Sequence, residues 1–145
     1  MNSKTLFHLA FPVTNIPQTK AFYVEGLGCT AGRENAHSII LNLYDHQLVA
    51  HVISADAIAP QKGIYPRHFG LIFTDLADWE VLLGRAQRQS LQFYQQPKQR
   101  FTGSPLEHRT FFLADPFSNF MEFKHYSHPT AIFGEAGYAE IGDRT

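Results

Sequence analysis

Residues 8–23 and 68–83 carry one pattern twice, and each copy starts on a histidine inside an apolar run. His8-Leu9-Ala10-Phe11-Pro12-Val13-Thr14-Asn15 aligns without a gap on His68-Phe69-Gly70-Leu71-Ile72-Phe73-Thr74-Asp75, and an amphipathic segment follows both. Internal repetition restricts architecture more than any local propensity, because each copy is one supersecondary unit and the copies must bury their apolar faces together. A duplicated unit predicts a pseudo-twofold fold that brings the two imidazoles together. Late in the second unit a third polar side chain interrupts an apolar strand, Glu122 in Phe120-Met121-Glu122-Phe123. Two histidines and one carboxylate are the makings of a metal site.

The pattern between these points predicts two units of strand, helix and three strands. Leu6 to Val13 has strand composition, with Pro12 suited to an edge or a strand end. Thr14 and Asn15 supply capping oxygens, and Gln18 to Gly26 reads as a short helix. Strands are expected at Thr30 to Glu34, Ser38 to Leu43 and Gln47 to Ile53, and Ala55 to Tyr65 connects the units. The second unit begins with a strand from Arg67 to Phe73. Thr74-Asp75 then caps a longer helix to about Gln89, with Leu76, Trp79, Leu82, Leu83 and Ala86 at helical spacing. Strands near Gln92 to Gln96, His108 to Ala114 and Asn119 to His125 complete it, while Gln95 to Pro105 reads as a long mobile loop. The fold class expected is α+β: two paired βαβββ modules forming a cupped mixed sheet with helices on the outer face. Residues 1–126 make one domain, with modules at about 5–54 and 66–126, and residues 127–145 form a carboxy-terminal extension. Met1 to Thr5 leads directly into the first strand, without a cleavage signal.

A formal charge of −1 gives no electrostatic reason to expect nucleic acid or an anionic membrane as partner. Cys29 is the one cysteine, so no disulfide can form within the chain, and a reducing, cytoplasmic setting is the simplest expectation. With no positively charged residue beside it in sequence, Cys29 reads as a small buried hydrophobe and not a nucleophile.

Strand parity sorts the candidate ligands. His8 shares a face with Leu6 and Ala10, His68 with Gly70 and Ile72, and Glu122 with Phe120 and Lys124, while the bulkier apolar neighbours take the other face. A single strand histidine is more often a hydrogen-bonded core or rim residue than a ligand. The repeat shifts the balance, and so does the cost of burying Glu122 without a cation or partner. Two imidazoles and one carboxylate leave coordination positions open, which suits Fe(II) and also Mn(II), Zn(II) or Ni(II).

His8 to Cys29, Arg67 to Leu91 and Thr110 to Tyr126 resemble the vicinal oxygen chelate superfamily, which includes glyoxalase I, extradiol dioxygenases, fosfomycin-resistance enzymes and bleomycin-binding proteins. The run Phe111 to Phe123, through Asp115-Pro116-Phe117-Ser118-Asn119, resembles the closing signature of that superfamily, with Glu122 where it places its carboxylate ligand. His46-Gln47-Leu48-Val49-Ala50-His51, Arg67-His68-Phe69-Gly70 and Met121-Glu122-Phe123-Lys124 look most like small dioxygenases of the extradiol group. The resemblance implies a metal-dependent oxidoreductase acting with dioxygen on a small diol-like aromatic substrate, Fe(II) held by His8, His68 and Glu122, and assembly as a homodimer. It also implies His46 as proton shuttle, against the alternative of a turn histidine, with His51 a weaker candidate on the opposite face. Two departures stand out: Phe112 replaces the tyrosine that extradiol enzymes carry ten residues before the carboxylate, and Gly103 replaces a loop histidine. His108 or Arg109 are the candidates to compensate, and Lys124, sharing the face of Glu122, is the cation expected to meet substrate. Arg67 and Arg100 read as solvated. A glyoxalase-like lyase or isomerase, and a metal-free protein sequestering a small aromatic compound, are the alternatives; the fourth ligand of glyoxalase I has no counterpart in Gln47 to Val52.

Overall fold

The computed structural model describes residues 5–143. Met1 to Lys4, expected to lead into the first strand, and the last two residues of the extension lie outside that range. The first module runs β1 (His8–Val13), α1 (Ile16–Lys20), β2 (Thr30–Glu34), β3 (Ser38–Leu43) and β4 (His46–Val52). The second runs β5 (Phe69–Ile72), α2 (Leu76–Arg88), β6 (Phe93–Arg100), β7 (His108–Ala114) and β8 (Phe120–Tyr126). Each module is a four-stranded mixed sheet, ordered β1-β4-β3-β2 and β5-β8-β7-β6, in which the first and last strands pair in parallel and the rest antiparallel. The fold is α+β, built from two βαβββ units of identical topology.

The helices start where the sequence supplies an acceptor. Asn15 accepts from the Gln18 amide and Asp75 from the Ala77 amide, each satisfying an orphan N–H of a first turn. α1 continues into a wider π turn over Ala21–Gly26, whose end is closed by the Leu27 amide on Phe22 O at 2.9 Å. One core serves both modules: Phe11, Val13, Tyr23, Ile39, Leu41 and Leu48 join Trp79, Leu82, Phe111, Met121 and Phe123 in a single buried cluster. Each such side chain contributes about 1.5–3 kcal/mol by leaving water, so neither module is expected to hold its apolar face alone. Polar ties cross the same seam. Buried Tyr23 donates to Asp115 Oδ2 at 2.6 Å, and Arg85 caps the end of the first helix through Gly26 O and Glu25 O.

Two expectations need correction. Residues 95–100 are not loop but the greater part of β6, which pairs with β7 through to Arg100↔His108. The strand sits at the sheet edge, where Pro97 costs no ladder hydrogen bond; its exposure alternates from Phe93 to Lys98, but beyond Tyr94 the residues are polar apart from Pro97 and leave no apolar pattern to mark it. The pseudo-twofold also does not bring His8 and His68 together within one chain. Phe11 lies against Phe69, ring centroids 5.8 Å apart, and Asn119 Nδ2 donates to Pro12 O at 2.9 Å. Since the repeat equates Phe11 with Leu71 and Leu9 with Phe69, β1 and β5 meet about a point near Ala10 and Gly70. His68 then looks toward the Pro12 end of β1, and a cavity of about 510 Å³ is lined by both. His8 lines neither this cavity nor the one around Glu122, so the two imidazoles do not share a site.

Candidate functional site

The concave face of the second module collects one histidine and one carboxylate. His68 immediately precedes β5, and Glu122 is the third residue of β8; parallel pairing sets Gly70 opposite Glu122. His68 Nδ1 donates to Ile64 O at 2.7 Å, which turns Nε2 toward Glu122 Oε1 at 3.2 Å. The other carboxylate oxygen accepts from Thr110 Oγ1 at 2.6 Å, and Lys124 Nζ stands 3.9 Å from Oε1. Thr110, Phe112, Glu122 and Lys124 share a face because β7 and β8 pair as Thr110↔Lys124 and Phe112↔Glu122.

Charge and burial act together here. With Nδ1–H committed to Ile64 O, a neutral His68 would aim its Nε2 lone pair at a carboxylate, so a proton or a cation is needed between them. Accordingly the Glu122 hydrogen bond holds the His68 pKa above its ordinary value, against the opposing effect of burial. Burial pushes Glu122 up, but His68, Lys124 and Thr110 together outweigh it and leave the carboxyl below its usual value. His108 is buried at 6% exposure; burial holds its imidazole below the ordinary value, and Nδ1 donates to Leu106 O at 2.9 Å. The neutral ring therefore presents Nε2 as an acceptor.

Around this cluster lies a cavity of about 870 Å³, walled by His108, Phe112 and Tyr126 and roofed by residues 131–143 of the extension. The Phe112 ring meets His68 edge-on at 5.2 Å, and His108 packs on Tyr126 at 4.9 Å. An aromatic wall beside an imidazole, a carboxylate and an ammonium group suits a flat, polar-edged molecule.

The remaining expected residues lie elsewhere. His8 is exposed on the first sheet, its Nδ1 2.6 Å from Gln47 Oε1. Among the described residues no three His, Cys, Asp or Glu side chains are grouped to hold a metal. His46 begins β4 and accepts the Phe7 amide on Nδ1 at 3.1 Å, tying down the start of the chain, and it does not line the cavity. Arg109 cannot replace the missing tyrosine, since alternation along β7 turns it to the opposite face from His108 and Thr110. Cys29 is buried, and burial pushes its thiol up to about 12, the chemistry of an inert hydrophobe. Sequence reasoning missed Thr110 and Tyr65, and it read Arg100 as solvated where the guanidinium is held by Asp143 and Gly142. Thr110 was accessible by parity with Phe112; the other two were not, because their role comes from the extension folding back.

Two mixed βαβββ sheets with an imidazole and a carboxylate on a concave face define a class of small-molecule-binding and metal-dependent proteins. The model of the Glyoxalase/Bleomycin resistance protein/Dioxygenase superfamily matches residues 5–123, and the chain belongs to that family. A glyoxalase/bleomycin resistance protein/dioxygenase from Alicyclobacillus acidocaldarius is 36% identical, covering 91% of this chain and 98% of that one with a TM-score of 0.85. More distant structures share the fold: a lactoylglutathione lyase from Agrobacterium tumefaciens (14% identity, 86% and 96% coverage, TM-score 0.62) and a fosfomycin resistance protein from Listeria monocytogenes (11% identity, 90% and 99% coverage, TM-score 0.64). No curated protein matches. No helix among the described residues is long and apolar enough to cross a membrane.

Proposed function

We propose that the protein is a metal-dependent oxidoreductase of extradiol dioxygenase type, acting in the cytoplasm on a small diol-like aromatic substrate. The observation that carries this is His68 Nε2 standing 3.2 Å from Glu122 Oε1, a nitrogen and an oxygen donor side by side that fit a divalent cation and need a proton or a cation between them. The third donor is His8, supplied by a second copy of the chain in a homodimer. His8 stands exposed beside Leu6 and Phe7, which are 59% and 58% exposed, on a face that buries little against its own chain.

Fe(II) is the ion that suits these three donors and oxidative ring cleavage, with Mn(II), Zn(II) or Ni(II) also compatible; bound there, it would supply Lewis acidity and redox capacity. The chain's own residues do the rest. Phe112 and Tyr126 flank the ring and exclude water, Lys124 offers a charge to an ionised hydroxyl, and neutral His108 Nε2 accepts a diol proton. In this reading His108 takes the shuttle role that sequence resemblance gave to His46.

Protein purified without chelator should carry a divalent metal, read by elemental analysis, and His68→Ala should lose it. Oxygen uptake with catechols in Fe(II)-loaded protein supports ring cleavage. Activity on glutathione hemithioacetals without oxygen uptake would favour a lyase. The absence of a three-ligand cluster among the described residues favours one further reading, a metal-free binder of small aromatics, which metal-free protein with unimpaired ligand binding would establish.

A further inference from the structure

The extension closes over the cup by one ionic latch. Arg100, at the end of β6, pairs through Nη1 with the Asp143 carboxylate and donates from Nη2 to Gly142 O at 2.7 Å; its side chain is only 17% exposed. The Asp143 amide donates to Tyr65 OH at 2.7 Å. Apolar fastening is slight among the described residues: Ala131 and Ile132 are half-buried, but Phe133 is 98% and Ile141, which forms a β-bridge, 80% exposed. A strap with few buried apolar contacts opens at low cost. Arg100 itself is held firmly, with its guanidinium over the Phe101 ring at 5.0 Å.

We infer that Arg100 is the specificity-determining anchor for a substrate carboxylate, and that Asp143 occupies it as an intramolecular stand-in until substrate arrives. This deepens the proposal that the second-module cup is the substrate site. The planar guanidinium fork matches a carboxylate in two-point geometry, and it lines the same cavity as Phe112, His108 and Glu122. A small aromatic carboxylate would set its carboxylate on Arg100, its ring against Phe112 and Tyr126, and its far edge toward His68 and Glu122. Lys124, 5.2 Å over the Tyr126 ring, adds a second positive charge along that path. Release of Asp143 frees the strap, so substrate binding and strap opening are one exchange of carboxylates.

The test is a titration of chelator-treated full-length protein with benzoate and its neutral isostere benzamide, followed by amide NMR shifts. Benzoate should bind in preference to benzamide. Asp143→Asn should tighten benzoate roughly tenfold by removing a tethered competitor, and Arg100→Gln should erase the preference. Should Arg100→Gln fail to fold, Arg100→Lys keeps the charge but loses the fork and should weaken benzoate more than benzamide. Equal binding of the two probes, unchanged affinity in Asp143→Asn, or wild-type affinity in Arg100→Gln would each overturn the inference. Because metal is absent throughout, metal content measured on separate untreated samples judges the metal centre independently: metal without benzoate binding sinks only the anchor, and benzoate binding without metal sinks only the centre.

Discussion

Thr110 is the residue on which the carboxylate depends most directly. It is 1% exposed, and its hydroxyl fixes one oxygen of Glu122 while the other faces His68. Thr110→Val keeps the shape and removes the donor, leaving a half-buried carboxylate oxygen unsatisfied. The expected cost is about 1–3 kcal/mol of stability and a roughly 10–100-fold loss of metal affinity, read by urea unfolding and by competitive metal titration. Unchanged affinity would show that the hydroxyl does not orient the ligand.

The buried Tyr23–Asp115 pair gives a pH-dependent counterpart outside the cup. Burial raises the Asp115 pKa, only partly offset by hydrogen bonds from Tyr23, Asn119 and the Phe117 amide. The folded chain thus binds more protons than the unfolded one between the ordinary carboxylate value, near 4, and the raised folded value. Stability accordingly falls as pH rises through that window. Tyr23→Phe removes a donor to the charged form and raises the carboxyl further, so its deficit should grow from about pH 4.5 to about pH 8, reaching about 1–3 kcal/mol. Denaturant melts at both pH values decide it, and a deficit that shrinks with pH contradicts it.

At the scale of elements, the site is set by the pairing of β5 with β8. Gly70 lies opposite Glu122, and a Cβ there would overlap the Glu122 carbonyl oxygen, so no side chain fits without parting the strands. Gly70→Ala should cost roughly 3 kcal/mol, seen as a lower Tm, and should reduce metal binding by moving His68 away from Glu122. A variant with native Tm would mean that the two strands are held less closely than described.

Alternation in β1, β5 and β8 made these faces legible from sequence, whereas β7 is buried from Thr110 to Ala114 without alternating. His8 and Ala10 are exposed while Phe11 and Val13 are buried, and Met121 and Phe123 are buried on the side away from Glu122. β6 was illegible beyond residue 96 because Gln95 to Arg100 are polar apart from Pro97, so a strand whose exposure alternates leaves no hydrophobic pattern in the sequence. The extension was illegible for a different reason: its attachments are polar, among them those to Arg100, Tyr65 and Glu107, with no apolar period to betray them.

The whole molecule holds the question that sequence symmetry left open. A repeat reveals that two strands are equivalent but not where the pseudo-twofold crosses them; that is set by packing, here Phe11 on Phe69. Here one chain sets His68 beside Glu122 and leaves His8 exposed on the first sheet, so under the proposed function the third donor comes from a second copy. In a closed twofold dimer each chain would give His8 to the other's cup, and both sites would form together.

The decisive measurement is metal content in mixtures of His8→Ala and His68→Ala chains. Each variant alone should be metal-free. After unfolding and refolding together, the mixed dimer has one site with His8 from one chain and His68 with Glu122 from the other, and should recover roughly one ion per mixed dimer. Recovery of no metal in the mixed dimer, while the wild type binds it, would contradict a centre shared between two copies.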